Sequence, residues 1–276
     1  MVLDIALLRP DNSFIFLGLI HLTLAPEKPF EEELYVSSEV DYTLEEKNVL
    51  LLDMAEFSVN NGPWNRTEEM MRIDDRVRKQ LGLTSRRFKV VQPWVIRDVP
   101  EDHLLKLRFE IESAIEYENP LLAIENPDKA DITWNGQSVK AEKNGYYVDK
   151  YIHTIPLPAI KPGKNILEIT MPFGLRTDLE CCYLLGDFGV SCAGRKTVIT
   201  NRPEKLQYGS VVPQNLAFYS GNIQYHSELF LDKASDLEIE ISHYRGAMVK
   251  VLVDGEERGA IMHAPFKLCI KDVTAG

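Results

Sequence analysis

A pattern of strand, tight hairpin and glycine turn occurs twice in this sequence and limits the folds that it can adopt. In the first copy, residues 105–112 alternate strictly between apolar and polar side chains, as expected for a half-buried strand. Asn135-Gly136 then lies between two apolar runs, which is typical of a type I′ hairpin because both turn positions need φ > 0. Pro162-Gly163 provides a further turn that leads into another alternating strand.

The second copy lies near the end of the sequence. Residues 236–242 alternate in the same way, and Asp254-Gly255 supplies the hairpin. Two copies of one supersecondary unit predict two β-sandwiches in tandem. The second copy stops at Gly276, where the first copy reaches Gly163, so it lacks the strand that follows the turn. Either the chain is a fragment of a longer protein or another segment supplies that strand.

We therefore predict a mainly β protein built from tandem β-sandwich units with one connecting α-helix. The chain has 276 residues, a length that suits about two domains. The predicted divisions are an N-terminal β segment that could complete an upstream domain (1–64), a connecting helix and linker (65–87), a first sandwich (88–193) and a second sandwich (194–276) that is predicted to lack its last strand.

The connecting helix is predicted over residues 65–82. Asn65 suits the N-cap position, and Glu68 three residues later would complete a capping box. Gly82 suits the left-handed residue that often follows a helix. Between these ends runs an apolar stripe at three- and four-residue spacing, formed by Met70, Ile73, Val77 and Leu81.

Charge and cysteine content indicate which binding partners and which cellular compartment suit the protein. The formal net charge of −11 argues against nucleic acid and against an anionic membrane surface, because both select basic patches. The four cysteines form no C-x-x-C pair and the histidines are scattered, so no zinc site or other cofactor is predicted, while a structural Ca²⁺ stays open. Thiols of this kind, with no signal-peptide pattern at the N-terminus, indicate a cytoplasmic protein.

The sequence contains no recognisable catalytic constellation. Glycoside hydrolysis needs two carboxylates about 5–10 Å apart, but most acidic residues alternate with apolar ones on outer strand faces, as Glu110 and Glu238 do. No G-x-S-x-G elbow, P-loop or G-x-G-x-x-G motif after a strand occurs in it. Cys181-Cys182 has no adjacent base and is interpreted as a buried structural pair.

One stretch has the composition of a binding surface. Tyr147, Asp149, Tyr151 and His153 alternate along a predicted strand and would share one face. Aromatic rings beside a carboxylate and an imidazole suit a sugar, whose C–H faces stack on rings while its hydroxyls meet polar groups. Trp134 could join this platform or could instead cover the sheet edge. The alternative is that the tyrosines are core or rim residues, each anchored by one hydroxyl hydrogen bond.

The same motifs resemble a known family. The segments Val251-Leu-Val-Asp-Gly-Glu-Glu-Arg-Gly259, Ala264-Pro-Phe and Ile270-Lys-Asp-Val-Thr-Ala-Gly276 resemble the sugar-binding domain of family 2 glycoside hydrolases. Trp134-Asn-Gly136 with Lys161-Pro-Gly-Lys-Asn-Ile-Leu-Glu-Ile169 looks like a more divergent copy. The fold that this resemblance implies is the galactose-binding-like jelly roll.

A second part of the resemblance concerns the connection between the domains. Asn48-Val-Leu-Leu-Leu-Asp53, Gly62-Pro-Trp64 and Gln92-Pro-Trp94 are similar to the region that joins a catalytic barrel to trailing sandwiches in large bacterial glycosidases, family 2-like or rhamnosidase-like. No (β/α)₈ barrel fits this chain, so no catalytic residue is carried over.

The resemblance implies a non-catalytic ancillary region of a bacterial glycoside hydrolase. Its partners would be carbohydrate and a catalytic barrel, either in the parent protein or in a partner subunit. Two other hypotheses remain open: an autonomous carbohydrate-binding module, and a glycoside hydrolase in its own right. Fold alone does not separate them, because sandwiches host many functions.

Overall fold

The computed structural model describes residues 38–85, 99–242 and 244–276, together with the backbones of the strands Val2–Leu8, Ile20–Ala25 and Glu32–Tyr35. Gln92-Pro-Trp94 and residues 86–87 of the predicted linker lie outside this part of the chain. Within it, no helix has the length and apolar character needed to cross a membrane.

The architecture is mainly β, with several antiparallel sheets and one α-helix in the described residues, which confirms the predicted fold class. The helix is α1 (Met70–Gln80), and two short 3-10 helices span Pro127–Lys129 and Val212–Gln214. In chain order the strands are β1 (Val2–Leu8), β2 (Ile20–Ala25), β3 (Glu32–Tyr35), β4 (Glu39–Leu44), β5 (Asn48–Leu52), β6 (Met54–Val59), β7 (Asn65–Glu69), β8 (His103–Ser113), β9 (Leu121–Glu125), β10 (Asp131–Trp134), β11 (Gln137–Val139), β12 (Gly145–Tyr147), β13 (Asp149–Pro156), β14 (Gly163–Phe173), β15 (Cys182–Gly186), β16 (Gly189–Ala193), β17 (Lys196–Thr200), β18 (Leu206–Gln207), β19 (Ile223–Glu228), β20 (Ser235–Ile241), β21 (Met248–Val253), β22 (Glu256–Ile261) and β23 (Lys267–Val273).

The chain forms two compact units. Unit 1 contains Met1–Asn48, Gly189–Cys192 and Arg202–Gly276, and unit 2 contains Val49–Phe188 and Ala193–Asn201. These units differ from the predicted divisions because the N-terminal strands pair with C-terminal ones: β1 lies between β19 and β21, and β2 pairs with β20. The helix α1 packs on β6 and β7, inside unit 2.

Unit 1 is a sandwich of two sheets. Its larger sheet has the order β18-β4-β19-β1-β21-β22, and its smaller sheet has the order β23-β20-β2-β3. Alternate residues of β20 and β21 are buried in one core, which includes Leu237, Ile239, Val249 and Val251. In this arrangement β1 pairs antiparallel with the hairpin strand β21, as β14 does with β10 in unit 2. A segment of the same chain therefore takes that position.

Unit 2 is also a sandwich. Its larger sheet contains the order β11-β10-β14-β8-β17, with β6 and β7 continuing from the other end of β8, and its smaller sheet has the order β12-β13-β9-β15-β5. A cavity of about 30 Å³ is lined by Leu107 and Ile169 from the larger sheet and by Ile124 and Cys182 from the smaller one. The two sheets therefore face each other across a shared apolar layer.

The predicted strand and hairpin chemistry is confirmed. In β8 the alternate residues Leu105, Leu107, Phe109 and Ile111 are all buried. Asn135 and Gly136 have φ of 50° and 80° and join β10 to β11, while Asp254 and Gly255 have φ of 51° and 81° and join β21 to β22. Both dipeptides thus adopt the positive angles that a type I′ turn requires.

The predicted start of the helix is wrong. Residues Asn65–Glu69 form β7, which pairs with β6, and the Asn65 side-chain amide donates to the Phe57 carbonyl at 3.1 Å. The N-cap is instead Glu69, whose carboxylate accepts hydrogen bonds from the backbone N–H groups of Met71 and Arg72. Strand pairing therefore uses the residues that the capping box would have needed.

The predicted end of the helix is confirmed. Gly82 has φ of 69°, and its N–H donates to the Lys79 carbonyl. The Leu83 N–H reaches back to the Arg78 carbonyl at 2.8 Å, which completes a Schellman motif.

One basic residue of α1 has a role that its position near the helix end did not predict. Arg78 is 1% exposed, and its Nε donates to Asp74 Oδ2 at 2.7 Å. Its other nitrogens donate to the carbonyls of Leu175 and Thr177 at 3.0 and 2.6 Å. The guanidinium therefore ties the helix to the loop after β14.

We expect Arg78→Ala to lower the free energy of unfolding by about 3–5 kcal/mol, because it leaves the Asp74 carboxylate buried without its cation. Urea denaturation of the purified chain measures the change. Arg72→Ala on the exposed side of the same helix is the matched control and should have little effect, since that side chain is 72% exposed. Equal effects of the two substitutions would contradict a structural role for the buried pair.

Candidate functional site

The predicted tyrosine platform lies on a hairpin of the smaller sheet of unit 2. The chain reverses direction at Val148, so Tyr147 ends β12 and Asp149 begins β13, and the two residues are register partners. The prediction of a single strand from Tyr147 to His153 is therefore wrong. The reversal includes an unusual backbone angle, because Val148 has φ of 61°, a value that a β-branched residue rarely adopts.

The tip of this hairpin is exposed and apolar. Tyr146, Val148 and Tyr151 are 60%, 74% and 78% exposed. The Asp149 carboxylate accepts a hydrogen bond from the Tyr151 N–H at 2.8 Å, which fixes the start of β13. The tip thus presents two aromatic rings on an ordered turn.

The candidate residues divide between the two faces of the sheet. Tyr146 is opposite His153, so these two residues share one face, and the register shifts between Tyr146 and Tyr147, which is opposite Asp149 at the turn. Tyr147 instead contacts Tyr183, with ring centroids 5.1 Å apart. The register links Tyr183 through Ala123 to Thr154, which is on the face opposite to His153.

Trp134 is part of the core, so the prediction that it could join the platform is wrong. It is 1% exposed, and its indole N–H donates to the Ala159 carbonyl at 3.2 Å. The residue ends β10 with its side chain on the inner face, where Ile132 is also buried. A ring in this position has no surface to offer a ligand.

The adjacent cysteines have the environment of structural thiols. Burial, with the nearby carboxylates of Asp53 and Glu180, raises the pKa of Cys181 to about 11. Cys182 is 2% exposed, and its burial raises the pKa of its thiol further. Both sulfurs are therefore protonated near neutral pH and are poor nucleophiles.

We expect Cys182 to react with a thiol reagent such as DTNB only after unfolding, and Cys181 to react slowly until the pH approaches 11. The exposed Cys192 and Cys269 should react first in the native chain. Peptide mapping by mass spectrometry after timed labelling assigns the reacted sites. Fast labelling of Cys182 in the folded chain would contradict the buried arrangement.

The structure also contains a pocket that the sequence did not indicate. It has a volume of about 420 Å³ and lies at one end of the larger sheet of unit 2, where Asn61, Glu101, Asp131 and Thr170 contribute to its wall. These residues come from four separate segments of the chain, so no local sequence motif could have predicted the pocket. Among the described residues, no group of three or more His, Cys, Asp or Glu side chains could hold a metal ion.

Comparison with known proteins gives distant structural similarity only. No family model and no curated protein matches the sequence. Solved structures similar to the chain include a β-D-glucuronidase from Dictyoglomus thermophilum (12% identity, TM-score 0.28), a β-D-mannosidase from the same organism (13%, 0.27) and a family 2 β-galacturonidase from Eisenbergiella tayi (11%, 0.28). The alignments cover 84%, 81% and 83% of this chain but 39%, 31% and 35% of those proteins. The chain thus spans less than half the length of each enzyme.

Proposed function

We propose that this chain is a non-catalytic β-sandwich region of a bacterial glycoside hydrolase that contacts carbohydrate through the tip of the β12–β13 hairpin. The observation that carries the proposal is the pair of exposed rings, Tyr146 and Tyr151, on a turn held by Asp149. Exposed aromatic residues on an ordered turn suit the apolar faces of sugar rings. The His153 imidazole and the Asp149 carboxylate both belong to β13 and offer polar groups to sugar hydroxyls.

The strained turn supports the same proposal. Val148 adopts a left-handed backbone angle that its branched side chain disfavours. Strain of this kind costs about 1–3 kcal/mol and concentrates at functional sites. Because the turn brings Tyr146 and Tyr151 to one end of the sheet, a binding role accounts for both the strain and the exposure.

A non-catalytic role fits the carboxyl groups that the structure describes. A glycosidase acid needs a raised pKa and a second carboxylate nearby. Among the described carboxyl groups, Asp53 has a raised pKa, caused by burial and by the negative charge of Glu69. The Glu69 carboxylate, however, caps α1 through two backbone N–H groups. In this proposal the catalytic barrel belongs to the parent protein or to a partner subunit, and the assembly works in the cytoplasm.

We expect Tyr151→Ala to weaken carbohydrate binding about tenfold, or roughly 1.4 kcal/mol, without unfolding unit 2. The ring is 78% exposed, so its loss removes ligand contact and little packing. Affinity electrophoresis against soluble plant and bacterial polysaccharides, with thermal denaturation as a folding check, measures both effects.

Tyr147→Ala is the matched control, because this ring packs on Tyr183 at the other face of the sheet. Loss of binding in Tyr147→Ala but not in Tyr151→Ala would move the binding surface to that face. A panel of chromogenic glycosides tests the enzyme hypothesis. Hydrolysis by the intact chain would overturn the non-catalytic role.

A further inference from the structure

We propose that the pocket at the end of the larger sheet of unit 2 is a second binding site, selective for neutral sugars and extended by the ring of Trp64. This proposal rests on the ligand class of the proposed function, but the pocket shares no residue with the β12–β13 hairpin. The pocket volume of about 420 Å³ falls within the roughly 300–1,000 Å³ range of small-molecule sites.

The walls of the pocket are held in place by hydrogen bonds. Asn60 exchanges two bonds with Leu104: its N–H donates to the Leu104 carbonyl, and its side-chain oxygen accepts from the Leu104 N–H, both at 2.8 Å. The Asn60 amide nitrogen also lies 3.2 Å from His103 Nδ1. On another side, Lys129 Nζ contacts both carboxylate oxygens of Glu101 at 3.2 and 2.9 Å. A ligand would therefore meet a preorganised wall, which lowers the ordering cost of binding.

The remaining lining has the chemistry of a sugar site. Asn61, Asp131 and Thr170 provide an amide, a carboxylate and a hydroxyl to the pocket. Pro172 provides an apolar surface beside them. Hydroxyl groups of a sugar can donate to the carboxylate and the amide oxygen, while its C–H face lies on the apolar patch.

Charge determines which sugars are suitable. Three carboxylates line the pocket, from Glu101, Asp102 and Asp131, against one lysine that is already paired with Glu101. This excess of negative charge disfavours a uronic acid or a phosphorylated sugar. The favoured ligand is an uncharged monosaccharide unit.

Trp64 extends the site along the sheet. The Arg108 guanidinium carbon lies 3.9 Å from the centre of the Trp64 ring, and Glu168 and Glu56 hold the guanidinium at 2.7 and 3.3 Å. Trp64 nevertheless remains 37% exposed. The Arg108 guanidinium therefore holds the Trp64 ring in place, and part of the ring surface remains accessible to a ligand.

The stack and the pocket are on the same face of the sheet. Leu104 and Arg108 are four residues apart on β8, with side chains of equal parity, and are opposite Pro172 and Glu168 of β14. Four strand residues span roughly 13 Å. One sugar unit in the pocket and a following unit near Trp64 would account for both features.

The test is a two-dimensional NMR titration of the ¹⁵N-labelled chain with D-galactose, D-glucose and D-mannose, each compared with D-galacturonate. We expect at least one neutral sugar to shift the resonances of Asn61 and Thr170, and galacturonate to bind more weakly. Asn61→Gly should reduce that affinity at least fivefold, because glycine retains the left-handed backbone (φ of 57°) and removes only the amide.

Asn119→Gly is the matched control, since Asn119 is exposed, has φ of 58° and is not part of the pocket. Shifts confined to residues 145–156 would overturn the pocket site and leave the hairpin function standing. Shifts confined to the pocket residues would overturn the hairpin function and leave the pocket site standing. No shift at either place with any of the three neutral sugars would overturn both, and equal binding of galacturonate would contradict the selectivity.

Discussion

The antiparallel register between β8 and β14 is the constraint on which unit 2 depends. It runs without interruption from the Ser113–Gly163 pair to the His103–Phe173 pair. Because side chains alternate along a strand, this register sends Leu105 to the core and Arg108 to the outer face beside Glu168. A slip by one residue would reverse every one of these assignments. The sandwich core, the Trp64 stack and the pocket wall are thus consequences of one alignment.

The parts of the fold that short-range chemistry determines could be predicted from the sequence. Asn135-Gly136 formed the expected turn because few dipeptides accept two positive φ angles. The helix start was missed because Asn65 is equally suited to cap a helix and to bond a neighbouring strand, and the pairing with Phe57 decides between them. The membership of the N-terminal strands was also missed, since periodicity predicts a strand but does not identify its partner.

Prediction of the candidate site from the sequence is limited in the same way, because local patterns do not identify tertiary contacts. The sequence places Tyr151 on one candidate binding face with Tyr147, but the reversal at Val148 that separates the two depends on a strained valine that no turn rule predicts. Trp134 and Trp64 look alike in the sequence, each near a glycine turn, yet one is buried and the other stacks on Arg108. Tertiary burial decides which aromatic residue can meet a ligand. The pocket combines four segments, so only the folded chain shows it.

The placement of β1 between β19 and β21 has a consequence for how the protein is made. In β1, Val2 pairs with Glu228, so the entire length of unit 2 is synthesised between two neighbouring strands of unit 1. Closing so long a loop carries a large entropic cost, and non-local β pairing is slow. On the ribosome, unit 2 can collapse as soon as its own strands emerge, whereas β1 waits with unpaired edges until β19 and β21 follow. A strand that waits for its partners in this way is open to aggregation.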